Sequence, residues 1–135
     1  MVSERLETQY ARTADGAYIA YQVLGEEPLD LLLLGQEPSH LELAWEMPGF
    51  AAVFRRLASF RRLIRFDHRG TGLSDPLGRA EQPSLEEQAE EMVAVLDAVG
   101  SERTAVVANN AEGLLAIFFA ASYPTRTSAL VLDGC

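Results

Sequence analysis

Residues 62–75 read Arg62-Leu63-Ile64-Arg65-Phe66-Asp67-His68-Arg69-Gly70-Thr71-Gly72-Leu73-Ser74-Asp75: a short run of strand character that passes at once into a charged turn punctuated by glycine. In open α/β sheets, ligands gather in the loops beyond the carboxyl ends of the strands, so this junction is a place to look for chemistry. Two readings of the turn stand side by side. As a phosphate cradle it would use its glycines for close backbone approach and Arg69 as a bidentate fork, but its spacing matches no phosphate-loop pattern. As a structural turn, the reading favoured here, Arg69 and the aspartates would bond to neighbouring backbone, the common fate of charges in tight turns.

Working outward, residues 29–34 form an apolar run broken only by Asp30, the mark of a strand buried on both faces between helices. Residues 62–66, 104–108 and 128–132 are candidates of the same kind. Residues 8–13 and 17–23 flank Asp15-Gly16, where glycine supplies the positive φ of a hairpin turn, and so predict an antiparallel opening pair. Helical spacing over 84–99 places Leu85, Ala89, Met92, Val93, Leu96 and Val99 on one stripe. Its ends are marked by a capping box, Ser84 with Glu87, and by Gly100 as the left-handed closing residue. Two more helices are expected at 47–59 and 111–122, the second so rich in alanine, leucine and phenylalanine that burial is expected. The alternation predicts one α/β domain over residues 1–135: a mainly parallel sheet with helices on both faces and the hairpin at one edge.

Composition narrows the function. Eleven basic against twenty acidic residues give a net charge of −9, which repels nucleic acid and anionic membrane surfaces. Neither is expected as a partner. One cysteine, Cys135, excludes an internal disulfide framework, and two histidines outside any Cys/His cluster provide no metal-site spacing. No cofactor is expected. The N-terminus lacks the pattern of a secretory signal, and no apolar run approaches the ~20 residues of a membrane span, so a cytoplasmic location is expected.

The pattern D-x-R-G-x-G-x-S-D at 67–75 is similar to the turn that follows an early core strand in α/β-hydrolases. Residues 39–46, Ser-His-Leu-Glu-Leu-Ala-Trp-Glu, and 55–60, Arg-Arg-Leu-Ala-Ser-Phe, resemble the hydrolase-like domains linked to bacterial adenylate and guanylate cyclases. Residues 96–103 and 123–126 continue the likeness in register, which covers the chain from about residue 10 to residue 134. The resemblance implies a truncated α/β-hydrolase fold, its N-terminal half, with a nucleophile elbow G-x-S-x-G between strand and helix. In that place stands Ala108-Asn109-Asn110-Ala111-Glu112, with Asn110 at the serine position, Ala108 at the first glycine and Glu112, expected to crowd the turn, at the second.

A carboxamide has no ionisable hydroxyl or thiol for a base to activate, so no catalytic residue is expected. The oxyanion side departs as well, with Gly35-Gln36 where His-Gly is common, and the family's acid and histidine would fall beyond residue 135. Asp133 as a displaced acid, and His68 or His40 as a displaced base, would have no nucleophile to serve. Cys135 is a thiol at the terminus with no identified activating base. What remains is a pocket lining of Gln36, His40, Trp45, Asn109, Asn110 and Ala111, able to bind a small molecule without transforming it. The bland alternative is that Trp45 packs as core and the asparagines satisfy turn backbone.

Three functions follow. The leading expectation is a non-catalytic hydrolase-like module with a ligand-sensing, regulatory or assembly role. The alternative is an esterase-like hydrolase acting through an unrecognised nucleophile or completed by a second chain. The third is a structural remnant that only assembles. In the first and third, the strand at 128–134 is expected at an open sheet edge, where it would pair with another copy in a homo-oligomer.

Overall fold

The computed structural model describes residues 6–35, 40–78 and 82–135. The apolar runs become β1 (Gln9–Arg12), β2 (Tyr18–Leu24), β3 (Asp30–Leu34), β4 (Arg62–Phe66), β5 (Thr104–Asn109) and β6 (Thr127–Asp133). Between them lie α1 (Pro48–Ala58), α2 (Leu85–Ala98) and α3 (Gly113–Ser122). The strands form one sheet in the order β1-β2-β4-β3-β5-β6, antiparallel at β1/β2 and β2/β4 and parallel from β4 to β6.

The parallel strands β3, β4 and β5 are buried on both faces because their side chains alternate between two separate cores. Leu32, Leu34, Ile64, Val106 and Ala108 face one way, onto Met92 and Leu96 of α2 and Phe119 of α3. Leu31, Leu33 and Leu63 face the other way, onto Phe54 of α1 and Ala44 just before it. Helices therefore cover both faces, as the alternation predicts.

The end signals of α2 act as read. Ser84 Oγ accepts from Glu87 N and Glu87 Oε1 accepts from Ser84 N, both at 3.1 Å, which satisfies two otherwise orphaned donors. Gly16 takes φ +91° in the hairpin turn.

Two expectations need correction. The third helix begins at Gly113, because 110–112 form a tight 3-10 turn. It is buried on one face only: Leu115, Ala116 and Phe119 are in the core while Leu114 is 65% and Ile117 48% exposed. Likewise 128–132 is a strand but not a buried one. Every residue of β6 after Thr127 is exposed, since β6 is the sheet's edge and no described element packs over its outer side. Among the described residues no helix is long and apolar enough to cross a membrane.

Candidate functional site

Parallel order puts the carboxyl ends of β3, β4, β5 and β6 on one side of the sheet, and the residues that follow them meet there. The turn after β5 is the sharpest. Asn110 has φ +52°, the left-handed region that few side chains other than asparagine tolerate, and among the described residues it is the one non-glycine with positive φ. This is the strained strand-to-helix elbow that the residue pattern predicts, built without small residues at both flanks. Asn109 is half-buried, and Asn110 and Ala111 are exposed.

Close packing surrounds the elbow. A Cβ on Gly35, whose φ is +92°, would stand 2.7 Å from the Asn109 carbonyl oxygen, so the end of β3 abuts the turn only because residue 35 is glycine. At the start of α3 a Cβ on Gly113 would stand 2.5 Å from Cys135 Sγ. The Cys135 thiol itself lies 3.6 Å from the Ala108 carbonyl oxygen, to which it donates. A free, exposed thiol thus sits beside the elbow.

Glu112 does not crowd the turn. Its backbone is ordinary helical, φ −79° and ψ −6°, and its carboxylate turns to His68, Oε1 lying 2.6 Å from Nε2. The other imidazole nitrogen, Nδ1, lies 3.3 Å from Glu91 Oε1 of α2, and Glu91 is only 2% exposed. Burial disfavours charge on this histidine, but the facing carboxylates of Glu112 and Glu91 outweigh it and push its pKa up to about 9. His68 is therefore an imidazolium held between two carboxylates and is not available as a general base.

The loop at 67–75 settles the choice between cradle and structural turn. Asp67 Oδ2 accepts from Leu73 N at 3.0 Å and from Leu41 N at 3.2 Å. Ser74 Oγ donates to the Asp67 carbonyl and accepts from Ala20 N, and Asp75 Oδ2 accepts from Tyr18 N. Arg69 does not bond to local backbone through its guanidinium. It reaches 54 residues back to Asp15 in a bidentate pair at 2.8 and 3.0 Å, holding the Asp15 carboxyl well below the usual range. The loop is latched to the hairpin, with its fork already occupied.

Of the expected lining, Gln36 lies outside the described residues. Asn109, Asn110 and Ala111 come together at the elbow. His40 Nδ1 accepts from Leu43 N at 3.2 Å and closes a turn. Trp45 packs edge-on against Phe54 with ring centroids 5.1 Å apart, and its Nε1 donates to Gln22 Oε1 at 3.0 Å. Its neighbours are core, as the bland alternative has it. The pair His68 and Glu112 was not expected as a unit. The signal for it was partial: a carboxylate at a position that calls for a small residue needs a partner, and both His40 and His68 stand in segments at that end of the sheet. Among the described residues, no group of three or more His, Cys, Asp or Glu side chains is arranged to hold a metal ion.

Residues 31–135 match the family model described as the alpha/beta hydrolase fold. A 2-hydroxy-6-oxononadienedioate/2-hydroxy-6-oxononatrienedioate hydrolase from Paraburkholderia phymatum is 37% identical over 90 residues, 64% of this chain and 31% of that protein. A putative carbamate hydrolase from Caulobacter segnis is 37% identical over 73 residues, 52% of this chain and 26% of that protein. The crystal structure of a hydrolase from Pseudomonas aeruginosa superposes with a TM-score of 0.77 at 27% identity, covering 93% of this chain and 45% of that one. The matched segments thus span about a third or less of these curated relatives and under half of the solved structure.

Proposed function

Because the chain belongs to the α/β-hydrolase fold family, we propose that it is a non-catalytic form of that fold, a module that binds a small molecule at its elbow and senses, regulates or assembles without transforming what it holds. The observation that carries this reading is Asn110. It occupies the left-handed corner of the strand-to-helix turn, where the fold presents its nucleophile, and a carboxamide can neither be deprotonated there nor form an acyl intermediate. It can donate and accept hydrogen bonds at once, which suits recognition of a carbonyl or amide group. The neighbouring carboxylate of Glu112 is neutralised by His68, so the elbow presents no unpaired charge. A regulatory appendage of a nucleotide cyclase is one form of this role, and it rests on the resemblance of residues 39–46 and 55–60 alone.

Purified protein should show no turnover of p-nitrophenyl acetate or butyrate above buffer, and Asn110→Ser alone should not create any, since an isolated hydroxyl lacks a base: His68 is committed to Glu112 and Glu91. Turnover by the wild type that one elbow substitution abolishes would overturn the reading. The second reading, a hydrolase with another nucleophile, is favoured by one observation, the Cys135 thiol packed at the start of α3. Turnover lost in Cys135→Ser would establish it.

Assembly is the other half of the proposal. β6 has a neighbour on one side only, and Leu130, Val131 and Leu132 are 37%, 51% and 42% exposed. An apolar edge with free backbone N–H and C=O groups fits another strand. A second copy, paired antiparallel about Leu130, would set Thr127 against Asp133 and keep the two Asp133 carboxylates at opposite ends. Light scattering at micromolar concentration should give a dimer or higher oligomer with an interface above ~1,000 Å² in total. Val131→Lys should return it to monomer. A monomeric wild type would refute the assembly role.

A further inference from the structure

His68 lies between two carboxylates, and the arrangement constrains its protonation state by counting donors. A neutral imidazole has one N–H and one bare nitrogen, whereas both of its ring nitrogens here face carboxylate oxygens, Glu112 Oε1 at 2.6 Å and Glu91 Oε1 at 3.3 Å. Carboxylates only accept, so both contacts hold at once only for the imidazolium. The two partners are not equally free to leave. Glu91 is fixed inside α2, 2% exposed, and its Oε1 also accepts from Arg69 N at 3.2 Å. Glu112 belongs to the elbow, and its side chain is 22% exposed.

The remaining neighbours of the ring leave the pairing to these two groups. The Phe66 ring meets His68 edge-on at 5.0 Å. The Asp67 carboxylate is turned away to Leu41 and Leu73 backbone. The Arg69 guanidinium is held by Asp15, with a further charge attraction to Glu91 and Glu87. Among the described residues, the groups that face the imidazole from α2, from the elbow and from its own loop are thus Glu91 and Glu112.

We propose that the proton on His68 regulates the elbow: with it, Glu112 is pinned to α2 through the imidazolium and Asn110 is presented in its left-handed turn; without it, Glu112 is released and the turn it belongs to relaxes. The functional consequence, gating of the binding site, rests on the reading of the elbow as that site; the coupling of elbow to His68 does not. Release would also leave an unpaired carboxylate beside Asn110, so an anionic ligand would be disfavoured in the deprotonated form.

The test follows the imidazole resonances of His68 and the backbone amides of Asn110, Ala111 and Gly113 by NMR across the pH range in which histidine titrates. The expected result is a His68 midpoint near 9, with the elbow amides moving at that same midpoint. Glu112→Gln should lower the His68 midpoint by about one unit or more and uncouple the amides, while Glu112→Asp retains part of the coupling. His68→Gln should hold the amides, at every pH, at the positions the wild type shows above its midpoint. A His68 midpoint near the ordinary ~6.5, amides that stay still while His68 titrates, or a midpoint untouched by Glu112→Gln would each overturn the proposal. None of these readouts involves ester turnover, so hydrolysis by the wild type would refute the non-catalytic reading and leave this one standing.

Discussion

The loop at 67–75 and the elbow at 109–113 leave the same end of the sheet, after the strands on either side of β3, and they treat their polar groups in opposite ways. In the loop every aspartate, the serine and the arginine are claimed by partners in β2, the hairpin or the segment before α1. The elbow makes one strong contact, Glu112 with His68, and leaves the Asn110 carboxamide exposed at its apex. The loop keeps the residue pattern of its family; the elbow departs from it at three positions of five. A turn that holds several elements together tolerates little change, whereas the elbow accommodates a carboxylate at Glu112 because that charge finds a partner in His68.

The contrast is sharpest at Asp67. Asp67→Ala would strand the backbone donors of Leu41 and Leu73 under the sheet's end, and its cost should be about 2–4 kcal/mol in urea unfolding, the largest effect of a single change at either turn. A loss near zero would show that the loop is as dispensable as the elbow.

Next comes the link between the turns. His68 has a folded-state pKa of about 9 against an ordinary value near 6.5, a raised value, so its contribution is complete below pH ~6.5 and is lost as pH rises through 9. Stability measured across this range should fall by up to about 3 kcal/mol, and His68→Gln should remove that slope. A flat profile in the wild type would sever the two turns energetically.

Smaller effects separate the backbones. Gly70 has φ +89° and a Cβ there would meet the Leu77 side chain at 2.8 Å, so Gly70→Ala should cost about 1–2 kcal/mol. Asn110→Gly should change stability by only a few tenths of a kcal/mol, because glycine accepts the same left-handed turn, whereas Asn110→Ala should cost about 1 kcal/mol. Equal losses at residues 70 and 110 would erase the distinction between a latched loop and a permissive elbow.

Much of this architecture was legible in residue order. The apolar run at 29–34 announced a strand between two layers of helices, found at Asp30–Leu34 with all five residues buried, and Ser84 with Glu87 announced where α2 begins. The elbow was legible from Thr104 to Gly113, with Asn110 at its left-handed corner. The limits were equally local. The composition of 111–122 suggested a buried helix, yet Leu114 and Ile117 face outward, since burial depends on what packs against a face and not on how apolar the face is. Trp45 was open to two readings, pocket lining or core, and its contacts lie far along the chain: Nε1 donates to Gln22 Oε1, 23 residues earlier, and the ring packs on Phe54.

By itself the sequence determined the α/β class, the hairpin, the capped start of α2 and the chemical fact that no hydroxyl or thiol stands at residue 110, because burial periodicity, capping and residue identity are all properties of neighbours along the chain. Only the tertiary structure decided that His68 would meet Glu112 across 44 residues and that Arg69 would latch onto Asp15 across 54. Those pairings depend on strand order. By inserting β3 between β4 and β5, the fold brings their two turns face to face, and nothing in the local pattern of either turn specifies its distance from the other.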